Sequence, residues 1–154
     1  MKALKFRKKR YYSEQNEHVY LMENYRVDKD KTSDGVPYIV YNIYLQNSDT
    51  LIGAVELHLL MNDYMYYYGN VGYYIECPYR GHHYAYWACK VLFKIANEEL
   101  ALKNLIITCS PDNIASYKTL VKLGGELLET VDVPQDHELY KRGEKVKCIF
   151  GFKL

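Results

Sequence analysis

Charge of one sign is the first thing this chain has little of. Its 20 lysines and arginines stand against 19 aspartates and glutamates, a net charge of +1. No global basic field is present to gather nucleic acid or to steer an acidic partner from a distance. Long apolar runs are missing as well. Nothing reaches the length of a membrane span, and the basic residues 1–10 are followed by no apolar stretch of the secretory kind, so they read as a solvated strand or end. Closely spaced cysteines are absent too. Cys77, Cys89, Cys109 and Cys148 fall inside expected strands, a helix or a strand-to-turn junction, the pattern of reduced thiols in a cytoplasm. No repeat, linker or low-complexity tract divides the 154 residues, so one domain over 1–154 is expected.

What is present centres on Pro78-Tyr79-Arg80-Gly81-His82-His83-Tyr84-Ala85, a polar turn. It lies between a strand expected over 70–76, rich in aromatic and β-branched residues, and a long amphipathic helix. In that helix Ala85, Ala88, Cys89, Leu92, Phe93, Ala96 and Leu100 recur at three- and four-residue intervals, with Lys90, Lys94, Asn97 and Glu98 on the opposite side. A turn that opens straight into a helix aims several backbone N–H groups and the positive end of the helix dipole at one spot. An anion site is expected there.

The apolar run 105–109 predicts a buried strand that pairs on both edges, completing a strand–helix–strand crossover. Asp112 or Asn113 then caps a short helix over 114–123, which Gly124 and Gly125 stop. Strands are expected at 36–45 and 51–60, joined by a hairpin connection at 46–50, and at 127–133 and 145–154. Residues 28–35 read as a charged loop, and 1–26 as a first strand with one or two short helices. The sheet strands 36–45, 51–60 and 70–76 should run antiparallel in sequence order.

From about residue 51 to 130 these motifs resemble the GNAT superfamily of acetyl-CoA-dependent N-acetyltransferases. Its pyrophosphate-binding pattern is Arg or Gln, two residues, Gly, one residue, then Gly or Ala. Arg80 and Ala85 match it, while His83 stands where the central glycine is usual. Asn113, Ser116, Lys122, Leu123 and Gly124 fit the family's second block, in the Ser-containing branch that includes ribosomal-protein alanine and aminoglycoside acetyltransferases. The tyrosine that many members place seven residues after the Asn is Leu120 here, so the usual acid toward departing CoA is absent.

The resemblance implies an α+β fold: a mixed, mostly antiparallel twisted sheet of six to seven strands flanked by helices around a CoA-binding crossover. It implies acetyl-CoA as cosubstrate, held by Arg80, Gly81, His82, His83, Tyr84 and Ala85 at the phosphates. Asn113 and Ser116 would lie beside the pantetheine arm, near the sulfur. Main-chain groups of Ile75, Glu76 and Cys77 would hold the acetyl carbonyl and the pantetheine. The acceptor would be a small-molecule amine or a protein amino group. A homodimer is allowed, and neither membrane nor nucleic acid is expected as a partner. The same fold without turnover, a catalytically weak acyl-CoA-binding module, is the alternative.

Acetyl transfer to an amine needs a neutral nucleophile, although an alkyl ammonium titrates near pH 10.4. A general base is therefore expected. Glu56, a carboxylate within an apolar strand, is the preferred candidate, with His58 second on the same face as Ile52 and Ala54. The other reading of Glu56 is a strand residue partnered by a lysine or tyrosine. Glu76 and Tyr117 are weaker candidates for base and acid. His82 and His83 lack a cluster of cysteines or carboxylates at ligand spacing, so no metal is expected. The 18 tyrosines, with Tyr64, Tyr66, Tyr67, Tyr68, Tyr73 and Tyr74 in one expected hairpin, read mostly as sheet packing.

Overall fold

Why the chain divides into two sheets is best seen from its strands. The computed structural model describes residues 8–13 and 18–154. The first sheet has the order β1 (Arg10–Tyr11), β2 (Val19–Val27), β3 (Tyr38–Leu45), β4 (Leu51–His58), β5 (Val71–Ile75), and every neighbouring pair is antiparallel. The second has the order β6 (Asn104–Cys109), β8 (Val146–Lys153), β7 (Glu126–Asp132), again antiparallel. Helix α1 (Tyr84–Glu98) connects β5 to β6, α2 (Ile114–Lys122) follows β6, and the one-turn α3 (Glu138–Lys141) precedes β8.

Alternation decides which face of the first sheet is covered. Val19 and Leu21 of β2, Ile39, Tyr41 and Ile43 of β3, and Val55 and Leu57 of β4 point to one side and are buried. Against them α1 lays Ala88, Cys89, Val91, Leu92, Ile95 and Ala96, the stripe expected of a 3.6-residue period. Leu105, Ile107, Phe150 and Phe152 extend the same core across the second sheet. Burying such side chains contributes about 1.5–3 kcal/mol each, which is why two sheets and a helix share one core.

The expected α+β architecture is the one observed, with a finer division of strands. Among the described residues there are eight strands, and the stretch expected to hold helices carries β1 and the nine-residue β2 instead. Packing of alternate apolar residues on α1 overrides local propensity there. The part of that expectation that falls on 1–7 and 14–17 lies outside the described residues.

One other expectation is corrected. Residues 64–68 form no hairpin strand. Met65–Tyr67 makes a 3-10 turn, and the rings of Tyr64, Tyr67 and Tyr68 surround the buried His137, with centroids 4.2, 5.3 and 5.1 Å from its ring. His137 Nδ1 accepts from the Leu139 N–H (3.1 Å) and Nε2 bonds to the Tyr64 carbonyl (2.9 Å), so this knot ties the 3-10 turn to α3. The four cysteines are free thiols as expected, although register places Cys109 opposite Cys148.

Candidate active site

Strand β6 was expected to pair on both edges, and it pairs on one. Its ladder joins β8, whereas on the other edge Ile106, Ile107 and Thr108 are fastened only to the residues that lead into β5. Asn70 makes that fastening. Its N–H donates to the Ile106 carbonyl (2.6 Å), its Nδ2 donates to the His58 carbonyl (3.0 Å), and its Oδ1 accepts from the Ile106 N–H (2.8 Å). Gly69 lies beside it with φ +80°, so close that a Cβ would stand 2.8 Å from the Ile106 oxygen. Thr108 Oγ1 donates to the Tyr67 carbonyl (2.8 Å) on the next turn of the same vertex. Beyond it no ladder joins β5 to β6, which belong to different sheets, and the unladdered stretch between their facing edges is the wedge.

Hydrogen-bond alternation identifies what faces the wedge. The Glu76 N–H donates to Ile52 O (2.8 Å) and the His58 N–H donates to Asn70 O (2.7 Å), so the even-numbered positions of β5 bond to β4. Tyr73 and Ile75 therefore turn their main-chain groups away from β4, into the wedge. Of the three positions expected to supply main-chain contacts, Glu76 has its N–H committed to Ile52, while Ile75 faces the opening and Cys77 begins an exposed 3-10 turn (Cys77–Tyr79). The carbonyl of Ile75 is itself taken, by Arg80 Nε (2.8 Å).

Arg80 thus folds back onto the strand, its guanidinium 5.3 Å from the Tyr74 ring centre, and pins the turn to the end of β5. Past it, Gly81 (φ +85°) and His83 (φ +61°) are both left-handed. His83 adopts the conformation that a glycine would take without strain. It is the residue before α1, and its side chain makes no capping bond. The N–H groups of Tyr84, Ala85 and Tyr86, the unsatisfied donors of a helix start, have no side-chain acceptor among the described residues. Gly81, His82 and His83 are exposed around them, with the His82 ring 5.5 Å from that of Tyr84. Lys122 holds its ammonium 4.4 Å from the Tyr86 ring centre, adding positive charge beside this turn.

The wall facing β5 is the start of α2. Asn113 caps it, accepting from the Ser116 N–H (3.2 Å). The Ser116 hydroxyl meets that of Tyr73 at 2.8 Å. Burial pushes the Tyr73 phenol up to about 12; hydrogen bonding to Ser116 works in the opposite direction, and the neighbouring Cys89 and Cys109 add to the rise. Leu120 is wholly buried, and Tyr117 turns its ring edge to Phe150 at 5.2 Å. On its outer side α2 borders an open groove of about 500 Å³ lined by Pro111, Ile114, Tyr117 and Val121, with Lys118 and Lys122 at the rim.

Among the described residues no helix is seen to pack on the opposite face of the first sheet. Glu56 and His58 project there from β4 and are paired, Glu56 Oε1 with His58 Nε2, so the carboxylate's partner is the second candidate base rather than a lysine or tyrosine. His58 Nδ1 is buried without a hydrogen-bond partner and its ring centre lies 5.1 Å from that of Tyr38, while the Glu56 side chain is 40% exposed. Across from Glu56 stands Gly72, where an added Cβ would meet nothing within 4 Å. Ile52 does not join this face. It is the extra residue of a bulge opposite Ile43 and Tyr44 and is buried in the core.

The fold therefore gathers Ile75, Arg80, Gly81, His83, Tyr84, Ala85, Asn113 and Ser116 around one wedge, and sets Glu56 one strand away on the other face. Sequence reasoning missed Asn70, Gly72 and Tyr73. Asn70 and Gly72 carried the only available signal, a polar residue and a glycine within an apolar strand; Tyr73 was hidden among the other tyrosines. No group of three or more His, Cys, Asp or Glu is gathered among the described residues, and none of their helices is long and apolar enough to cross a membrane.

Comparison with known proteins points to one family. A model described as an acetyltransferase (GNAT) domain matches residues 2–126. An N-acetyltransferase of Bacillus subtilis strain 168, YnaD, itself uncharacterized, is 27% identical over 84 residues, 54% of this chain and 48% of its own length. The ribosomal-protein-S5-alanine acetyltransferase of Vibrio fischeri superposes with a TM-score of 0.59 at 17% identity, over 75% of this chain and 61% of that one. The microcin C7 self-immunity acetyltransferase MccE, solved with acetyl-CoA and AMP, gives 0.58 at 18% identity, over 76% and 61%. At such identities the structures speak for the fold. The chain spans about half the length of the curated relative it matches.

Proposed function

The chain belongs to the acetyltransferase (GNAT) domain family, and on that premise we propose that it moves an acetyl group from acetyl-CoA to a primary amine by direct attack in a ternary complex. The observation that carries this reading is the wedge: two strands diverge from a single fastening, with an uncapped helix start at its mouth. Free N–H donors and the helix dipole suit a pyrophosphate. The main-chain groups of Tyr73 suit an extended pantetheine, which pairs with an unsatisfied strand edge as another strand would; of Ile75 only the N–H is open, its carbonyl being held by Arg80.

Each residue then has a task. The backbone from Gly81 to Ala85 binds phosphate, Arg80 fixes the turn, and Asn113 positions Ser116 near the sulfur. Ile75, with its N–H turned into the wedge, polarises the acetyl carbonyl, the electrostatic assistance acyl transfer requires. Glu56 takes the proton of the acceptor ammonium, through water. One strand spacing, about 4.8 Å, separates its strand from β5, and Gly72 leaves that path open. His58 holds the carboxylate in place. No step calls for a metal. The four free thiols suit a reducing cytoplasm.

Calorimetry with CoA and acetyl-CoA, together with thiol release against a panel of amines, tests the reading. Binding with release is expected. Binding without release from any amine would favour the module that holds acyl-CoA without turnover, and no binding at millimolar concentration would remove the reading altogether.

A further inference from the structure

With Leu120 buried, the helix wall of the wedge offers no phenol toward the sulfur, yet a phenol reaches the same place from the strand wall. Resting on the CoA reading above, we infer that Tyr73 is a positioning residue for the leaving group: its hydroxyl donates to Ser116 Oγ and turns the Ser116 hydrogen toward the CoA sulfur.

The argument starts from the two hydroxyls, 2.8 Å apart. Each has one hydrogen and can accept as well, so one must be the donor. Thr119, the other hydroxyl that interacts with Tyr73, spends its own hydrogen on the Ala115 carbonyl (2.9 Å), so it supplies none to Tyr73 or Ser116. Tyr73 keeps its proton far above neutrality because it is buried beside two thiols, so it remains a donor throughout a catalytic cycle. A serine hydroxyl that receives a hydrogen bond keeps its own hydrogen for a third atom, and it is a stronger donor for being polarised. Ser116 lies in the first turn of α2, whose N-terminal dipole also favours negative charge.

The step balances without a proton leaving Tyr73. The amine nitrogen forms the new C–N bond, the C–S bond breaks, and its electron pair stays on sulfur. The proton released from nitrogen passes to Glu56 or water. The thiolate is held by the Ser116 hydrogen until solvent protonates it on release. What Tyr73 contributes is direction: without it the Ser116 hydrogen has no fixed orientation.

The test measures the bound product as well as turnover. CoA is titrated into the unmodified protein, Tyr73→Phe, Ser116→Ala and the double variant; binding is followed by calorimetry and the bound thiol by its ultraviolet thiolate absorbance against pH. Tyr73→Phe should bind CoA within about twofold, raise the bound thiol's pKa by about one unit and lower kcat about tenfold at unchanged KM for acetyl-CoA, as loss of one oriented hydrogen bond requires. Ser116→Ala should do at least as much, and adding Tyr73→Phe to it should change kcat by less than about twofold. A bound thiol that titrates alike in Tyr73→Phe and the unmodified protein, or additive effects in the double variant, overturns the inference. Should Tyr73→Phe not fold, Ser116→Ala decides it: an unmoved thiol pKa there refutes it. Absence of CoA binding by the unmodified protein would fail the underlying reading, a result distinct from binding with an unmoved thiol.

Discussion

Asn70→Ala should be the most damaging substitution outside the apolar core. The side chain is 7% exposed and makes two bonds, from Nδ2 to the His58 carbonyl and to Oδ1 from the Ile106 N–H. Alanine removes both partners at once and leaves a buried donor and acceptor, each worth about 1–3 kcal/mol when unsatisfied. The main-chain bond from Asn70 N–H to Ile106 O survives, so the vertex loosens without dissolving. We expect a loss of about 2–5 kcal/mol. At about 2–4 °C per kcal/mol for a chain of this size, the melting temperature should fall by about 5–15 °C. Urea unfolding gives the free energy, and hydrogen exchange at the Ile106 amide reports the fastening itself, which should open faster than its neighbours. A loss below about 1 kcal/mol, with Ile106 still protected, would show that the two sheets are held by the core and by Gly69 and Thr108, and that Asn70 is dispensable.

Three further outcomes are expected. His83→Gly should stabilise the protein by about 0.5–1 kcal/mol, since relief of a left-handed residue outweighs the added freedom of the unfolded chain, and CoA affinity should hold or tighten; destabilisation would mean that the exposed imidazole has a structural partner. Glu56→Gln should bind acetyl-CoA normally but turn over at least about a hundredfold more slowly near neutrality, recovering in part at alkaline pH as free amine accumulates; activity within about threefold of the original would remove Glu56 as base. Stability should also decline in alkali: burial pushes Tyr20 and Tyr73 up to about 12 and moves Tyr41 the same way. Unfolded tyrosine ionises near pH 10, so this contribution is complete below that and is lost as pH rises through the folded values; a free energy of unfolding flat from about pH 8 to about pH 11 would contradict it.

The sequence by itself determined the turn and everything that depends on local chemistry. The period of Ala88, Leu92 and Ala96 makes α1, the Asn113 side chain caps α2, and Gly124 ends it, because each of these is settled within a few residues. Main-chain donors at the start of a helix follow from the helix alone, so the uncapped N–H groups at the start of α1 were legible although His83 replaces the usual glycine. Only the tertiary structure decided where the sheet stops. An apolar run such as Leu105, Ile106 and Ile107 looks the same whether one edge or two are paired, since periodicity reports faces and not neighbours. The parting of β5 and β6 is set by Asn70 binding two strands distant in sequence. The meeting of Tyr73 with Ser116, 43 residues apart, and the bulge that withdraws Ile52 from the face of Glu56 are likewise results of register, and register is fixed by packing rather than by any residue read alone.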